Sequence, residues 1–149
     1  MNERALWIDK EGRWFFQGEE ITHRKTYLLY CRNLTLDEAG RFILRIGHEE
    51  CRVEVEDVPF VVKSMDFIAA GGKELKSIDL LLNDETREIL RPETLRVGPQ
   101  NVLYCQVRGG IFAARFSRNA YQLLFPHIQN DEKGQRFLLI LDGKEYVLV

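Results

Sequence analysis

The sequence predicts an α+β fold of two small lobes, built on mostly antiparallel sheet with few short helices. Three observations carry this. Short apolar or alternating runs bounded by Gly, Asp and Asn recur along the chain, as strands do. Only two stretches clearly space their apolar residues three and four apart, as a helix requires. Finally, LDEAGRFIL at residues 36–44 returns almost unchanged as NDEKGQRFLL at residues 130–139.

Each element follows from local chemistry. Residues 6–21 place two apolar runs around Asp9-Lys10-Glu11-Gly12, a hairpin signal in which Gly12 supplies the positive φ of a tight loop. Thr22 reads as an N-cap, and Tyr27, Leu28, Tyr30, Cys31 and Leu34 form the stripe of a helix over residues 23–34. A turn at Asp37–Gly40 leads into strands over 41–46 and 51–56. Residues 60–68 and 74–82 read as a long hairpin across Ala70-Gly71-Gly72-Lys73, and 84–90 reads as a short helix. Pro59 marks a bulge or an edge position. Residues 102–107 and 111–116 flank Arg108-Gly109-Gly110 as another hairpin. Ser117 then caps a helix that Pro126 shortens, before the Asp131–Gly134 turn and strands over 136–141 and 145–148.

The repeat is arithmetic as well as visual. Arg24 and Arg118, Tyr27 and Tyr121, Asp37 and Asp131, Glu38 and Glu132, and Gly40 and Gly134 are each separated by 94 positions. Inserted Gln135 changes the offset to 95 for Phe42 with Phe137 and Leu44 with Leu139. The expected organisation is an N-terminal lobe over 1–58, middle strands over 59–98 packing on both lobes, and a C-terminal lobe over 99–149, in one compact unit.

Composition narrows the function. A chain of 149 residues, 45% hydrophobic and 30% charged, is long enough for a sizeable core. A net charge of −2 gives no general attraction to nucleic acid or to an anionic membrane, so neither is an expected partner. No apolar run approaches a membrane span, and the first ten residues lack the apolar segment of a secretory signal, so a cytoplasmic location is expected. Cys31, Cys51 and Cys105 are few, widely spaced and set among apolar residues, which reads as reduced thiols. His23, His48 and His127 sit far from one another, with no metal-ligand spacing. Gly71-Gly72-Lys73 is not a phosphate loop, because the first glycine and the final hydroxyl residue of that motif are missing. No cofactor is expected.

Several residues together resemble a bacterial family catalogued as domain of unknown function 1285. They are Asp9, Gly12, Trp14, Gly18, Ile21, Arg24 and Glu49, the run VEVEDVPF at 53–60, and Val107-Arg108-Gly109-Gly110 with Arg118 and Tyr121. The chain departs at Gly47-His48, where the family more often has Thr-Pro. The resemblance implies a small α+β protein with a repeated core motif in two lobes, and a role in signal transduction.

Charge at the two helix starts gives the functional expectation. A helix N-terminus is electropositive and favours acids, yet His23, Arg24 and Lys25 open the first helix and Arg118 opens the second. Arg24 and Arg118, with Arg108 on its glycine loop and the acids Glu56 and Asp57, are therefore the candidate residues for holding a small anionic ligand between the lobes. Internal ion pairs with Glu49, Glu54, Glu56 or Asp57 account for the same pattern without a ligand. Two classes stay open: a ligand-binding or sensor module, and a protein-interaction module or homodimer. Glu54 and Glu56 would share a strand face about 7 Å apart, but no nucleophile or oxyanion site accompanies them, so an enzyme is not expected.

Overall fold

The computed structural model describes residues 6–72 and 74–149; Lys73, at the tip of the predicted long hairpin, lies outside them. The chain divides into two compact units, Met1–Pro59 and Phe60–Val149, so the middle strands group with the C-terminal portion.

The first unit is a six-stranded sheet with one helix. Its strands are β1 (Leu6–Ile8), β2 (Trp14–Phe16), β3 (Glu19–Glu20), β4 (Leu34–Leu36), β5 (Phe42–Ile46) and β6 (Glu49–Val55), with α1 (Arg24–Asn33) between β3 and β4. The order across the sheet is β3-β2-β1-β6-β5-β4, and β1 runs parallel to β6 while the other neighbours are antiparallel. Leu6, Ile8, Trp14, Leu44 and Val53 are buried, as strand alternation requires, and Cys31 of α1 is buried with them. The Trp14 and Tyr30 rings meet edge to face, with centroids 5.5 Å apart.

The second unit holds β7 (Phe60–Gly71), β8 (Glu74–Leu82), β9 (Arg87–Ile89), β10 (Arg96–Val97), β11 (Leu103–Val107) and β12 (Phe112–Phe116) in one sheet, ordered β10-β11-β12-β7-β8-β9. Helix α2 (Arg118–Leu124) follows, then a three-stranded sheet of β13 (Ile128–Asn130), β14 (Phe137–Leu141) and β15 (Lys144–Leu148). Residues 84–90, expected as a short helix, form a turn and strand β9 instead. Asp84 Oδ1 accepts from Thr86 N–H at 3.0 Å, so side chain-to-backbone bonding wins over helix propensity there.

The repeat is written into the hydrogen-bond register. Leu34 faces Leu44 and Leu36 faces Phe42; at offsets of 94 and 95, Ile128 faces Leu139 and Asn130 faces Phe137. Leu44 faces Cys51 and Ile46 faces Glu49, just as Leu139 faces Tyr146 and Leu141 faces Lys144. The helices begin 94 residues apart. Pro126, which has no N–H to give, ends α2 early, and a 3-10 turn over Phe125–His127 completes the ten residues that α1 spans.

The repeat also reaches further than the sequence indicates, with a different alignment. By element order the hairpin at Arg108–Gly110 would stand opposite the one at Asp9–Gly12. In the structure the counterpart is Gly98–Asn101, at an offset of 89. Asp9 N–H bonds Arg13 O at 2.9 Å, and Gly98 N–H bonds Val102 O at 2.7 Å. Ile8 faces Trp14, and Val97 faces Leu103. Even the parallel junction returns in brief, since Val97 N–H donates to Val149 O at 2.5 Å where β1 lies beside β6 in the first unit. Strands β1–β6 with α1 therefore correspond to β10–β15 with α2, and β7–β9 lie between the copies in sequence.

The repeated sentence itself has a local cause. Asp37 Oδ1 accepts from the N–H groups of Ala39 and Arg41 at 2.9 and 2.8 Å, and Oδ2 accepts from Arg41 Nε at 2.9 Å. Asp131 binds Gln135 N–H at 2.8 Å and Arg136 Nε at 3.2 Å, absorbing the extra residue. Asp9 repeats the device with Glu11 N–H, Arg13 N–H and Arg13 Nε at 3.0, 2.9 and 2.7 Å. An Asp opening a turn that a positive-φ glycine and an Arg complete is thus used three times.

Candidate functional site

The helix starts differ from each other. Thr22 is not the cap of α1: His23 takes that position, and its Nδ1 accepts from Thr26 N–H at 3.3 Å and lies 2.8 Å from Thr26 Oγ1. An imidazole acceptor thus replaces the expected hydroxyl. Ser117 does cap α2, accepting from Ala120 N–H at 3.1 Å. Arg24 is exposed but engaged by the fold. Arg118 is exposed and takes part in no ion pair among the described residues.

Arg108 occupies a built environment. Its φ is +55°, a region costly for a residue with a side chain, and Gly109 and Gly110 continue at +71° and +86°. Its N–H is held by Glu88, with Oε1 at 3.0 Å. Its guanidinium lies over the Phe60 ring, 4.7 Å from the centroid, and Nη2 donates to Asp84 Oδ2. Asp84 is 3% exposed, so its charge needs a partner and Arg108 provides it. The glycine loop therefore presents an arginine already matched by an internal acid. Arg108 and Arg118 also stand at opposite ends of β12, whose five residues span about 16 Å.

The two candidate acids lie just past β6. Glu56 Oε1 accepts from Lys10 N–H at 3.0 Å, and Glu56 N–H donates to Ile8 O at 2.9 Å, so this residue fastens the β1–β2 turn to the end of β6. Asp57 is exposed and has partners within the fold. Sequence reasoning did not find Asp84, Glu88 and Phe60, the three residues around Arg108. The available signal was the Asn83-Asp84 pair two residues before Thr86, a side-chain turn signature.

One further contrast concerns the edges of the two related sheets. On β12, the outer edge carries β7 in parallel, with Ala114 facing Phe60, Arg115 facing Val61 and Phe116 facing Val62. The contact continues beyond the strand: Ser117 N–H donates to Val62 O at 3.0 Å, and Asn119 Nδ2 to Lys63 O at 3.0 Å. The equivalent strand in the first unit is β3, which among the described residues pairs with β2 alone. Phe16, next to it, is 42% exposed, whereas its equivalent Cys105 is 1% exposed in the row Cys105-Ala114-Phe60. Trp7 is 37% exposed, its ring 5.0 Å from that of Phe15.

The architecture is thus an α+β protein whose first unit is partly duplicated in the second. Two solved structures share it. A crystal structure of a DUF1285 family protein from Silicibacter pomeroyi DSS-3 matches with a TM-score of 0.79 at 22% identity, covering 98% of this chain and 80% of that one. A crystal structure of a DUF1285 family protein from Shewanella baltica OS155 matches with a TM-score of 0.66 at 19% identity, covering 84% of this chain and 94% of that one. The fold is that of these bacterial proteins, the family that the sequence resembles. No family model and no curated protein matches the chain. No helix of the described residues is long and apolar enough to cross a membrane.

Proposed function

We propose that this protein is a binding module that engages another protein through its first unit. The carrying observation is the contrast between related edges: Phe16 is 42% exposed where the second unit covers the equivalent row, through Cys105, with a strand. A solvent-facing aromatic beside a strand edge left unpaired among the described residues is what strand-addition recognition uses. A signal-transduction role, implied by the family resemblance, agrees with a module that works by contact. The test is selection of short peptides from a random display library against the full chain. Peptides that bind the native chain and lose at least tenfold affinity on Phe16→Ser support the reading; an empty selection, or peptides indifferent to Phe16→Ser and Trp7→Ser, overturns it.

A second reading rests on Arg118, whose exposed guanidinium has no ion pair among the described residues. Under it the protein binds a small phosphorylated or carboxylate ligand. Thermal stabilisation by such compounds that disappears with Arg118→Ala supports this reading, and an equal response from both proteins removes it.

A further inference from the structure

We infer that the outer edge of β3, at Glu19 and Glu20, receives an extended segment of a different protein, lying parallel to β3 and carrying basic residues. This rests on the proposed role of the first unit in protein binding and specifies the partner.

The direction comes from the molecule's own second copy. At offsets of 95 along the strand and 94 at the helix, Ala114, Arg115 and Arg118 correspond to Glu19, Glu20 and Arg24. In the second unit, β7 already runs parallel along this edge and pairs with three residues of β12. Two rows of side chains end at the edge of β3 that no strand covers among the described residues. One runs Leu6, Phe16, Glu19, and the other Trp7, Phe15, Glu20. Their second-unit equivalents continue for one more strand, through Phe60 and Val61, both buried. A segment on β3 would extend the exposed Phe16 row in the same way, with an apolar residue where Phe60 stands.

The charge comes from β3 itself. Glu19 and Glu20 are both exposed, and neither has an ion pair at contact distance among the described residues, although the Arg13 guanidinium attracts Glu20 from further off. Cross-strand neighbours of opposite charge stabilise a ladder, and like charges destabilise it. That selects lysine or arginine in the incoming segment. It also rules against a second copy of this chain pairing antiparallel through the same edge, since Glu19 and Glu20 would then face Glu20 and Glu19. Acidic side chains on a short edge are a common guard against such self-pairing, and here the guard leaves a basic partner admissible.

Two labelled hexapeptides with an apolar residue at alternate positions test this, one with lysine and the other with glutamate at the remaining positions. Binding is read by fluorescence anisotropy, and placement by backbone amide shifts in the full chain. We expect the lysine peptide to bind at least tenfold more tightly, with the largest shifts at Glu19, Glu20 and Ile21. A spin label on its C-terminal end should broaden the Ile21 side of β3 rather than Gly18. In Glu19→Lys/Glu20→Lys the preference should reverse. Binding at β3 without charge preference, or in the antiparallel sense, overturns this inference and leaves protein binding by the first unit standing. No binding of either peptide, together with an empty library selection, removes both.

Discussion

Arg108 and Asp84 form an ion pair across the turn between β8 and β9 and the loop before β12, with the acid buried and the guanidinium stacked on Phe60. Removing one member leaves an uncompensated charge, so Arg108→Met should cost about 3 kcal/mol. Asp84→Asn in that background should recover part of the loss. Urea unfolding of the two single variants and the double variant measures the coupling. Additive losses would show that the pair does not hold the loop.

Asp9, Asp37 and Asp131 make similar turns in different surroundings. Asp9 is 4% exposed and holds two backbone N–H groups, so Asp9→Ala should cost about 1–3 kcal/mol by leaving them without partners. Asp37→Ala, at a solvent-facing turn, should cost distinctly less. Thermal midpoints of the two variants side by side decide it, and equal losses would refute the ranking.

Acid should act through the two exposed turns. The backbone N–H of Arg41, and then its side chain, hold the Asp37 carboxyl below the usual range; those of Gln135 and Arg136 do the same for Asp131. A carboxylate whose folded pKa is depressed stabilises the fold above its unfolded value, near 3.9, and loses that contribution as pH falls through the lower folded value. Stability of the native chain should therefore fall below about pH 4, and the Asp37→Asn/Asp131→Asn variant should show a flatter acid limb. Urea midpoints between pH 5 and pH 2 provide the comparison.

Gly98 is required for space. An added Cβ would lie 2.5 Å from Cε2 of Tyr104, while its φ of −96° is open to any residue. Gly98→Ala should cost about 1–3 kcal/mol by overpacking, and Tyr104→Leu should relieve much of it. If the alanine variant is as stable as the native chain, the ring moves more freely than this contact indicates.

The thiols should separate by access. Burial, with Glu88 adding to it, pushes Cys105 up to about 12, and Cys31 is equally buried. At pH 8 iodoacetamide should modify half-buried Cys51 first and reach the other two only on unfolding. Mass spectrometry of partly modified protein gives the order.

The repeat was legible because its meander depends on particular residues: the Asp, Gly and Arg of a turn recur in any copy that keeps it. The first hairpin of the second copy was not, because Gly98-Pro99-Gln100-Asn101 builds by backbone conformation what Asp9-Lys10-Glu11-Gly12 builds with a carboxylate. Register survived there while residue identity did not. The acid that matches Arg108 was hidden for a related reason. Asp84 lies 24 positions away and is brought close only by the β7–β8–β9 meander, and no local spacing announces such a pairing.

The bond from Val97 to Val149 bears on synthesis. The first sheet has all its strands once residue 55 is made, so it can begin to fold while the ribosome is still elongating the rest. The second copy must wait, because Val149, which accepts from Val97 of β10, lies 52 positions further along the chain. Until then β10 and β11 stand without that flank, and a stall late in elongation would expose apolar side chains to chaperones or to neighbouring nascent chains.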